Sequence, residues 1–400
     1  MERKKILFVA EAVTLAHVGR PLALARTLDR QRYDVHFACA PGYEPFFKDA
    51  QLRHWPLISI ASARFLAALA AGKPVYDART LHQYVLDDMR LLQAVRPDVV
   101  IGDFRLSLSV SARLAEVPYV AVANAYWSPY VQQHYQVPAL PLSRVLPIEL
   151  ANRLFGLVRP LAFALHCRPL NRVRRAYRMP SLGYDLRRVY TDADHVLYAD
   201  IPEIFPAHDL PITHSYLGPV TWSPPTEPPS WWDALPGGRD LVYVTLGSSG
   251  QGALLPRVLQ ALAPLPLTVV AATAGTVEPG LLPDNVHVAS YLPGEQAAQR
   301  SRLVICNGGS PTSQQALAAG VPVLGIASNL DQYLNMDGVV RSGAGLLLRS
   351  DRLVEEELRA TALRLLHDPE ARVAAGRVAQ QFQRYDPGAR LAGLLSQLPG

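Results

Sequence analysis

The 400-residue sequence lacks the features that mark several large classes of protein. Its three cysteines, Cys39, Cys167 and Cys306, are odd in number and far apart, which argues against a disulfide framework and for a reducing compartment. No apolar run reaches the ~18 residues of a membrane span. Zinc-finger, RRM and helix-turn-helix patterns are absent, and no G-x-G-x-x-G follows either candidate first strand. These absences weigh against nucleic acid as a partner and against NAD or FAD as a cofactor.

The N-terminal residues MERKKILFVAEAV begin basic and then turn apolar, an order that signal peptides share. The apolar run is short and Glu11 interrupts it, so the sequence predicts a first β-strand instead. Together with the cysteines, this predicts a cytoplasmic protein. A basic region described below leaves open a peripheral position at the inner membrane face.

Short apolar runs alternate with stretches of helical periodicity in both halves of the chain. Strands are predicted over 6–10, 33–40, 98–102, 119–123 and 195–199, and then over 241–246, 267–272, 286–289, 303–306, 321–326 and 345–348. Helices are predicted over 20–29, 81–95 and 252–263, and from residue 312. This rhythm predicts an α/β protein whose parallel sheets carry helices on both faces.

The length and one change in composition predict two domains. Five prolines fall between Leu217 and Trp231, which predicts a semi-rigid linker over 218–233. Two domains of ~200 residues fit a chain of this length better than one core. We expect an N-terminal domain over 1–217, a C-terminal domain over 234–378, and a terminal helix over 379–400 that packs back toward the first domain. A cleft between two such domains is a natural ligand site.

The segment from Cys306 to Gln332 carries the clearest chemistry. An apolar strand enters the turn Asn307-Gly308-Gly309-Ser310-Pro311, and a helix is predicted to start at Thr312. Free N–H groups and the positive end of the helix dipole make such a turn an anion site. Asp331 and Gln332 follow one strand later, at a strand's carboxyl end, where ligand-contacting residues lie in open α/β sheets. A phosphate in the turn and hydroxyl groups on Asp331-Gln332 predict a nucleotide sugar.

These motifs occur in an order that resembles a known family. The series comprises His17-Val18-Gly19-Arg20-Pro21-Leu22, Leu217-Gly218-Pro219, residues 231–236 and 242–248, the turn from Asn307 to Thr312, Gln315-Ala316-Leu317, Gly320-Val321-Pro322 and Asp331-Gln332. It resembles inverting GT-B glycosyltransferases, in particular glycosyltransferase family 1 with its macrolide glycosyltransferases and UDP-glucuronosyltransferase-like enzymes. The resemblance covers nearly the whole chain. It implies two Rossmann-like doubly wound domains, with the acceptor bound by the first and the nucleotide-sugar donor by the second.

The resemblance also implies roles for single residues. His17 would be the general base that deprotonates an acceptor hydroxyl, and Asp103 would orient it. The diphosphate would be bound by Gly247, Ser248, Asn307, Gly308, Gly309, Thr312 and Ser313, with Ser249 and Gly250 in the same turn as Gly247. Tyr291, Leu292 and Gln315 would contact the nucleoside, and Asp331 and Gln332 the sugar. Without the family, a packing histidine, a capping aspartate and a core tyrosine would explain His17, Asp103 and Tyr291.

Three positions depart from the family pattern. Asn307 replaces a histidine, Pro311 a glycine, and Gln315 a glutamate that grips the ribose hydroxyls. Asp331-Gln332 suits a fully hydroxylated sugar, which favours a UDP-hexose as donor. Gln315 leaves a dTDP-deoxysugar as the alternative. No metal or other cofactor is expected, and Asp192-Ala193-Asp194 is interpreted as a solvent-exposed turn.

Residues 141–190 hold ten arginines against two acidic residues, Glu149 and Asp185, around an apolar stretch over 154–165. This region is either a contact with an anionic membrane or a solvated helix face.

The acceptor is expected at loops 60–80 and 125–150, where Ala125-Tyr126-Trp127-Ser128-Pro129-Tyr130 suggests a flat apolar or aromatic molecule. The predicted function is an inverting hexosyltransferase acting on such a molecule. The alternatives are a glycolipid-forming transferase at the membrane, a non-catalytic nucleotide-sugar-binding homologue and a GT-B epimerase.

Overall fold

A computed structural model of the protein describes residues 3–47, 52–248, 252–275 and 282–399. The chain forms two compact units. The first comprises Met1–Gln132, Leu154–Val220 and Tyr385–Gly400, and the second comprises Gln133–Arg153 and Thr221–Arg384.

The first unit is built on a seven-stranded parallel sheet in the order β3-β2-β1-β4-β5-β6-β7. Its strands are β1 (Lys4–Ala10), β2 (Tyr33–Cys39), β3 (Arg53–Pro56), β4 (Val99–Asp103), β5 (Tyr119–Ala123), β6 (His195–Tyr198) and β7 (His214–Tyr216). Its helices are α1 (Ala16–Thr27), α2 (Ser62–Ala70), α3 (Ala78–Val95), α4 (Leu108–Leu114), α7 (Leu186–Tyr190) and α14 (Pro387–Gln397).

The second unit is built on a six-stranded parallel sheet in the order β10-β9-β8-β11-β12-β13. Its strands are β8 (Asp240–Thr245), β9 (Leu267–Ala272), β10 (Val286–Ala289), β11 (Leu303–Cys306), β12 (Val323–Ala327) and β13 (Gly345–Arg349). Its helices are α5 (Pro141–Val145), α8 (Leu255–Leu262), α9 (Gly294–Arg300), α10 (Ser310–Ala318), α11 (Leu330–Arg341), α12 (Glu355–His367) and α13 (Pro369–Phe382). One more helix, α6 (Ile148–Ala176), contributes its residues from Leu154 onward to the first unit.

The predicted α/β class and parallel sheets are confirmed. The strands inside each sheet are the continuous apolar runs of the sequence, as expected for strands that are buried on both faces. All five residues of β4 and of β5 are buried, for example. Two strands of the first sheet, β3 and β7, were not predicted. Both are short and pair on one side only, so they carry no apolar run. Strand β12 begins at Val323, two residues later than predicted.

The start of α1 also differs from the prediction. The helix begins at Ala16, so His17 lies in its first turn and not in the loop before it. Asp103 is the last residue of β4, which pairs directly with β1. Since α1 follows β1, the fold brings both residues to the carboxyl edge of the first sheet.

The ends of the chain and one internal segment are placed by long-range contacts. Lys4 Nζ donates to the carbonyls of Leu395 and Leu398, at 2.9 and 2.6 Å, which ties the C-terminal helix α14 to the first unit. In the second unit, Arg349 donates to the Val137 carbonyl at 2.8 Å. Residues 133–153 therefore pack with the second sheet, a placement that no local pattern predicts.

Within the described ranges, no helix combines the length and apolar character that crossing a bilayer requires. All three cysteines are buried and free. Burial raises the pKa of the Cys306 thiol to about 12, so this thiol stays protonated and packs as a small apolar group.

Candidate active site

His17 and Asp103 meet at the edge of the first sheet. His17 Nδ1 lies 2.9 Å from Asp103 Oδ1, and the carboxylate is fully buried while the imidazole is about one fifth exposed. An ionised carboxylate can only accept, so the imidazole donates from Nδ1 in this pair. In the neutral ring, Nε2 is then the atom that can accept a proton.

Arg20, one turn after His17 on α1, completes this arrangement and was not predicted. Its guanidinium makes two hydrogen bonds to the Asp103 carboxylate, with Nε 2.7 Å from Oδ2 and Nη2 3.0 Å from Oδ1. Its Nη1 donates to Asn124 Oδ1 at 2.7 Å, and Asn124 in turn donates to Asp200. The carboxylate that orients His17 is therefore itself held by a charged, bidentate donor.

The charge state of Asp103 follows from these contacts. Burial by itself raises the pKa of Asp103, but the positive charge of Arg20 and the hydrogen bonds from His17 and Arg20 outweigh it. The net direction of the pKa is downward. Asp103 is thus an ionised carboxylate at neutral pH although no solvent reaches it.

Phe104 follows Asp103 and covers the imidazole. Its backbone has a φ of +59°, a conformation that non-glycine residues seldom adopt. Its ring stacks on His17 with 4.8 Å between centroids and an interplanar angle of 15°. The next residue, Arg105, is fully buried and pairs with Glu11 at 2.8 Å and Asp88 at 2.9 Å. These buried ion pairs anchor the loop and hold Phe104 in its strained backbone conformation.

A series of aromatic contacts leads away from His17 through Phe104. Phe104 lies 5.3 Å from Tyr190, Tyr190 lies 4.9 Å from Trp127, and Trp127 lies 6.4 Å from Phe163 on α6. Of the predicted segment 125–130, Trp127 joins this cluster, whereas Tyr126 is fully buried and packs on Phe205 in the core. We call Phe104, Tyr190, Trp127 and Phe163 the aromatic path.

The predicted anion turn lies at the carboxyl end of β11. Asn307 Oδ1 accepts from the Gly309 amide at 3.0 Å, and Gly308 has a φ of +80°. Gly247, at the end of the adjacent strand β8, approaches so closely that a Cβ there would lie 3.2 Å from Asn307 Nδ2. The fold therefore brings the two predicted glycine turns together. Ser248 follows Gly247 and is partly exposed, while Ser249 and Gly250 lie outside the described residues.

Helix α10 begins at Ser310 with Pro311 in its first turn, two residues earlier than predicted. The first amides of a helix have no partner within it, so those of Ser310 and Thr312 are the donors this turn can offer. Ser313, also predicted to bind the diphosphate, is fully buried, and its hydroxyl donates to the Gly309 carbonyl at 3.0 Å, so its side chain stabilises the turn.

Asn335 is a second residue that sequence reasoning missed. Buried on α11, it donates through Nδ2 to the Gly308 carbonyl at 2.8 Å and to Ser313 Oγ at 2.9 Å. These bonds join α11 to the turn and give the Gly308 carbonyl a partner. Asn335 stands four residues after Asp331, one helical turn along the same face, and that spacing was the only signal in the sequence.

The predicted nucleoside residues lie near one another in the second unit. Tyr291 and Leu292 follow β10, with Tyr291 partly exposed and Leu292 buried. Gln315 is buried on α10 and donates from Nε2 to the Trp222 carbonyl at 2.6 Å and to Ser223 Oγ at 3.0 Å. A Cβ at Gly294 would lie only 2.8 Å from Gln315 Oε1. Glycine at 294 and glutamine at 315 therefore fit together.

Asp331 and Gln332 occupy the first turn of α11, where the helix dipole stabilises a negative charge. Gln332 Oε1 accepts from the Ser328 amide at 2.8 Å and forms a capping box with Asn329. Gln332 Nε2 is buried and has no hydrogen-bond partner among the described residues. A buried donor without a partner is costly, so this atom marks a place where a ligand oxygen would fit.

The Asp192-Ala193-Asp194 segment is only partly the exposed turn that was predicted. Asp194 is exposed, but Asp192 is largely buried and pairs with Arg113 at 2.9 Å and Arg174 at 2.6 Å. Across the ranges that the structure describes, no three His, Cys, Asp or Glu side chains are arranged to hold a metal ion.

The chain resembles known proteins in both sequence and structure. The family model for the C-terminal domain of erythromycin biosynthesis protein CIII-like proteins matches residues 256–389. Among solved structures, spinosyn forosaminyltransferase SpnP superposes with a TM-score of 0.72 at 20% identity, covering 99% of this chain and 100% of that one. Spinosyn rhamnosyltransferase SpnG complexed with thymidine diphosphate gives 0.69 at 19% identity, covering 98% and 99%.

Several relatives are far more similar in sequence. A PGL/p-HBAD biosynthesis rhamnosyltransferase of Mycobacterium bovis (strain BCG / Pasteur 1173P2) is 54% identical over 382 residues, 96% of this chain and 85% of the relative. A PGL/p-HBAD biosynthesis glycosyltransferase of Mycobacterium tuberculosis (strain ATCC 25177 / H37Ra) is 52% identical over 380 residues, 95% and 89%. An inactive PGL/p-HBAD biosynthesis glycosyltransferase of the same M. bovis strain is 50% identical over 260 residues, 65% and 71%. The chain therefore belongs to this family of glycosyltransferases, and its two parallel-sheet units have the GT-B fold.

Proposed function

We propose that the protein transfers a sugar, with inversion at the anomeric carbon, from a nucleoside diphosphate sugar to a hydroxyl group of an aromatic acceptor. The observation that carries the proposal is the His17–Asp103 pair, in which a partly exposed imidazole is oriented by a buried carboxylate and stacked on the aromatic path.

In this mechanism His17 Nε2 takes the proton of the acceptor hydroxyl. The acceptor oxygen forms a bond to the anomeric carbon while the bond from that carbon to the diphosphate oxygen breaks. The electron pair of the broken bond leaves with the diphosphate. Asp103 keeps the proton on Nδ1 and stabilises the imidazolium that forms.

The departing diphosphate would be stabilised without a charged side chain. The amides of Ser310 and Thr312 lie in the first turn of α10, and there the helix dipole favours a bound anion. Gly247 and Ser248 border the same place, and Gly308 and Gly309 shape the turn. Because amides and a helix dipole can supply this stabilisation, the proposal includes no resident metal or other cofactor.

Two features favour a 2′-deoxy nucleotide over the uridine nucleotide that Asp331-Gln332 alone would favour. Gln315 uses its Nε2 on Trp222 and Ser223, so it offers only one neutral acceptor atom to a ribose, where a glutamate offers charge. Among the structural neighbours, SpnG is complexed with thymidine diphosphate, and the 54% identical relative is named a rhamnosyltransferase. We therefore propose a dTDP-sugar as donor, with Gln332 Nε2 and Asp331 contacting its hydroxyl groups.

The aromatic path supports a phenolic acceptor, since offset or edge contacts with Phe104, Tyr190 and Trp127 would stabilise a planar ring next to His17. Two relatives that each cover nearly the whole chain are named for PGL/p-HBAD biosynthesis, which makes a phenolic glycolipid precursor the acceptor class to test first. This favours the glycolipid-forming alternative over a water-soluble natural product.

The test is transfer from dTDP-rhamnose and from UDP-glucose to a short-chain phenolic acceptor, with the anomeric configuration of the product determined by NMR. We expect an inverted glycoside from wild type and loss of ~10²–10⁴-fold in turnover for His17→Ala. The control is His367→Ala, an exposed histidine of α12, which should keep full turnover. Retention of configuration, or equal turnover in both variants, would exclude His17 as the base. Binding of donor without any transfer by wild type would favour the non-catalytic alternative.

A further inference from the structure

The outer face of α6 is apolar where a surface helix is normally polar. Leu157, Leu161 and Leu165 follow one another at four-residue intervals and are 79%, 59% and 40% exposed. Val158, beside them, is 54% exposed. Residues four apart lie on one side of a helix, so these side chains form a continuous apolar stripe.

The core of the first unit does not account for this stripe. The inner side of α6 is already buried through Phe163, Cys167, Leu170 and Val173, which recur at helical spacing. The helix thus has two apolar sides, of which the fold covers one.

Positive charge continues along the exposed side. Arg168, Arg172 and Arg175 follow Leu157 at intervals close to whole helical turns and are exposed. No acidic side chain in the described part of the chain forms an ion pair with them, in contrast to Arg174, which is buried against Asp192. We call these three arginines and the four apolar residues from Leu157 to Leu165 the α6 face.

We propose that the α6 face binds an anionic lipid surface, with α6 lying in the plane of the membrane. The leucines would enter the boundary between headgroups and acyl chains, and the arginines would contact lipid phosphates. The α6 face carries no carboxylate, so a second copy packed through the same face would offer the arginines no counter-charge, whereas an anionic headgroup layer does. The solvated-face interpretation of this region leaves the exposed leucines unexplained.

The α6 face is connected to the candidate active site. Phe163, on the inner side of the same helix, is the last member of the aromatic path, whose first member, Phe104, stacks on His17. Membrane binding would therefore place the helix that borders the acceptor residues at the lipid surface. The proposal itself rests on exposure and charge alone and stands or falls independently of the transfer chemistry.

The test is flotation of the full-length protein with phosphatidylcholine vesicles, with and without phosphatidylglycerol. We expect binding to the anionic vesicles only, and release by high salt. Replacing Arg168, Arg172 and Arg175 together by Gln should weaken partition by roughly a hundredfold, since each arginine near an anionic surface strengthens partition by about fivefold. Replacing Leu157, Leu161 and Leu165 together by Gln should weaken it by at least roughly tenfold.

A matched control replaces three exposed apolar residues elsewhere, Ile212, Val354 and Val373, by Gln. It should bind vesicles like wild type. The replaced side chains are exposed, and glutamine is a good helix former at those that lie in helices, so all variants should keep the wild-type circular dichroism and the wild-type turnover of a water-soluble acceptor. Three results would overturn the proposal: equal binding to neutral vesicles, equal loss in the control, or a concentration-dependent dimer in sedimentation equilibrium that only the leucine variant abolishes.

Discussion

The two units place chemically different sites at equivalent positions of similar sheets. In the first unit, the end of β4 carries a buried carboxylate between a histidine and an arginine. In the second, the end of β11 carries a glycine turn whose contacts are made by amides and by the neutral side chains of Asn307 and Asn335. Both lie at carboxyl ends of parallel strands, where helix N-termini also converge.

The difference reflects what each site would do to its ligand. Moving a proton requires a titratable group, and a titratable group in a buried place requires a fixed counter-charge, which Arg20 supplies to Asp103. Stabilising a departing anion requires only oriented dipoles, which a helix N-terminus supplies without any charged residue. Substitutions in the first site should therefore change turnover most, and those in the second should change donor binding most.

The largest effect is expected for Asp103→Asn. An amide in this position donates as well as accepts, so it cannot satisfy both His17 and Arg20, and Arg20 is left with an uncompensated charge. We expect turnover to fall by ~10²–10⁴-fold and the free energy of unfolding by about 3–5 kcal/mol. Steady-state kinetics and urea unfolding measure the two quantities.

The control for that variant is Asp192→Asn, which removes a carboxylate paired with Arg113 and Arg174 in the same unit. Asp192 precedes β6 and so lies at the opposite edge of the sheet from His17. It should lose stability but keep turnover. An equal loss of turnover in both variants would mean that Asp103 acts only through the fold.

Arg20→Gln should have the next largest effect, a ~10–100-fold loss of turnover, with Arg20→Lys intermediate because it keeps the charge and loses the fork. In wild type the pKa of Asp103 is lowered, so its stabilising contribution is complete above the unfolded value of about 3.9 and is lost as pH falls through the folded value. Without Arg20, burial raises the pKa of Asp103, and the ionised carboxylate then destabilises the fold at neutral pH.

The difference in unfolding free energy between wild type and Arg20→Gln should consequently be largest near neutral pH and shrink below about pH 4. Urea unfolding at several pH values tests this directly. A difference that does not change with pH would show that Arg20 contributes by packing and not through the charge of Asp103.

In the second site, Gly308→Ala should raise the donor KM by roughly tenfold with a smaller change in kcat. The residue has a φ of +80°, and a Cβ would lie 2.8 Å from Met336 Cγ, so the turn must shift, at a cost of about 1–3 kcal/mol. Gly183→Ala is the matched control, because its φ is +79° and nothing lies within 4 Å of a Cβ there. It should lose stability without a change in donor KM.

The smallest effect is expected for Gln315→Glu, measured as the ratio of kcat/KM for dTDP- and UDP-sugars. A carboxylate is repelled by the Trp222 carbonyl and is free to accept from ribose hydroxyls, so preference should move toward UDP by ~5-fold. Ser223→Ala removes a partner of Gln315 without adding charge and should leave the ratio unchanged. A shift toward dTDP in Gln315→Glu would contradict the role given to Gln315.

The parts of each site that were predictable share one property, which is that adjacent residues form them. The turn from Asn307 to Thr312 lies between a strand and a helix within one stretch of sequence, and its glycines and helix start are local signals. Sequence patterns did not point to Arg20, Phe104, Asn335 and Ser223, because their roles depend on partners from 22 to 104 residues away or on a backbone conformation. His17 and Asp103, 86 residues apart, were paired only through family resemblance.

The sequence by itself determined the class of the fold and the glycine-turn motifs of the second unit, because apolar periodicity and glycine turns act over a few residues. It also determined the family, because the motifs occur in a fixed order. Tertiary structure alone decided which groups are charged and which are satisfied. Arg20 keeps Asp103 ionised, and the Trp222 carbonyl accepts a hydrogen bond from the side-chain amide of Gln315. The fold covers one apolar side of α6 and leaves the other exposed. The physical reason is that burial and charge pairing depend on neighbours in space.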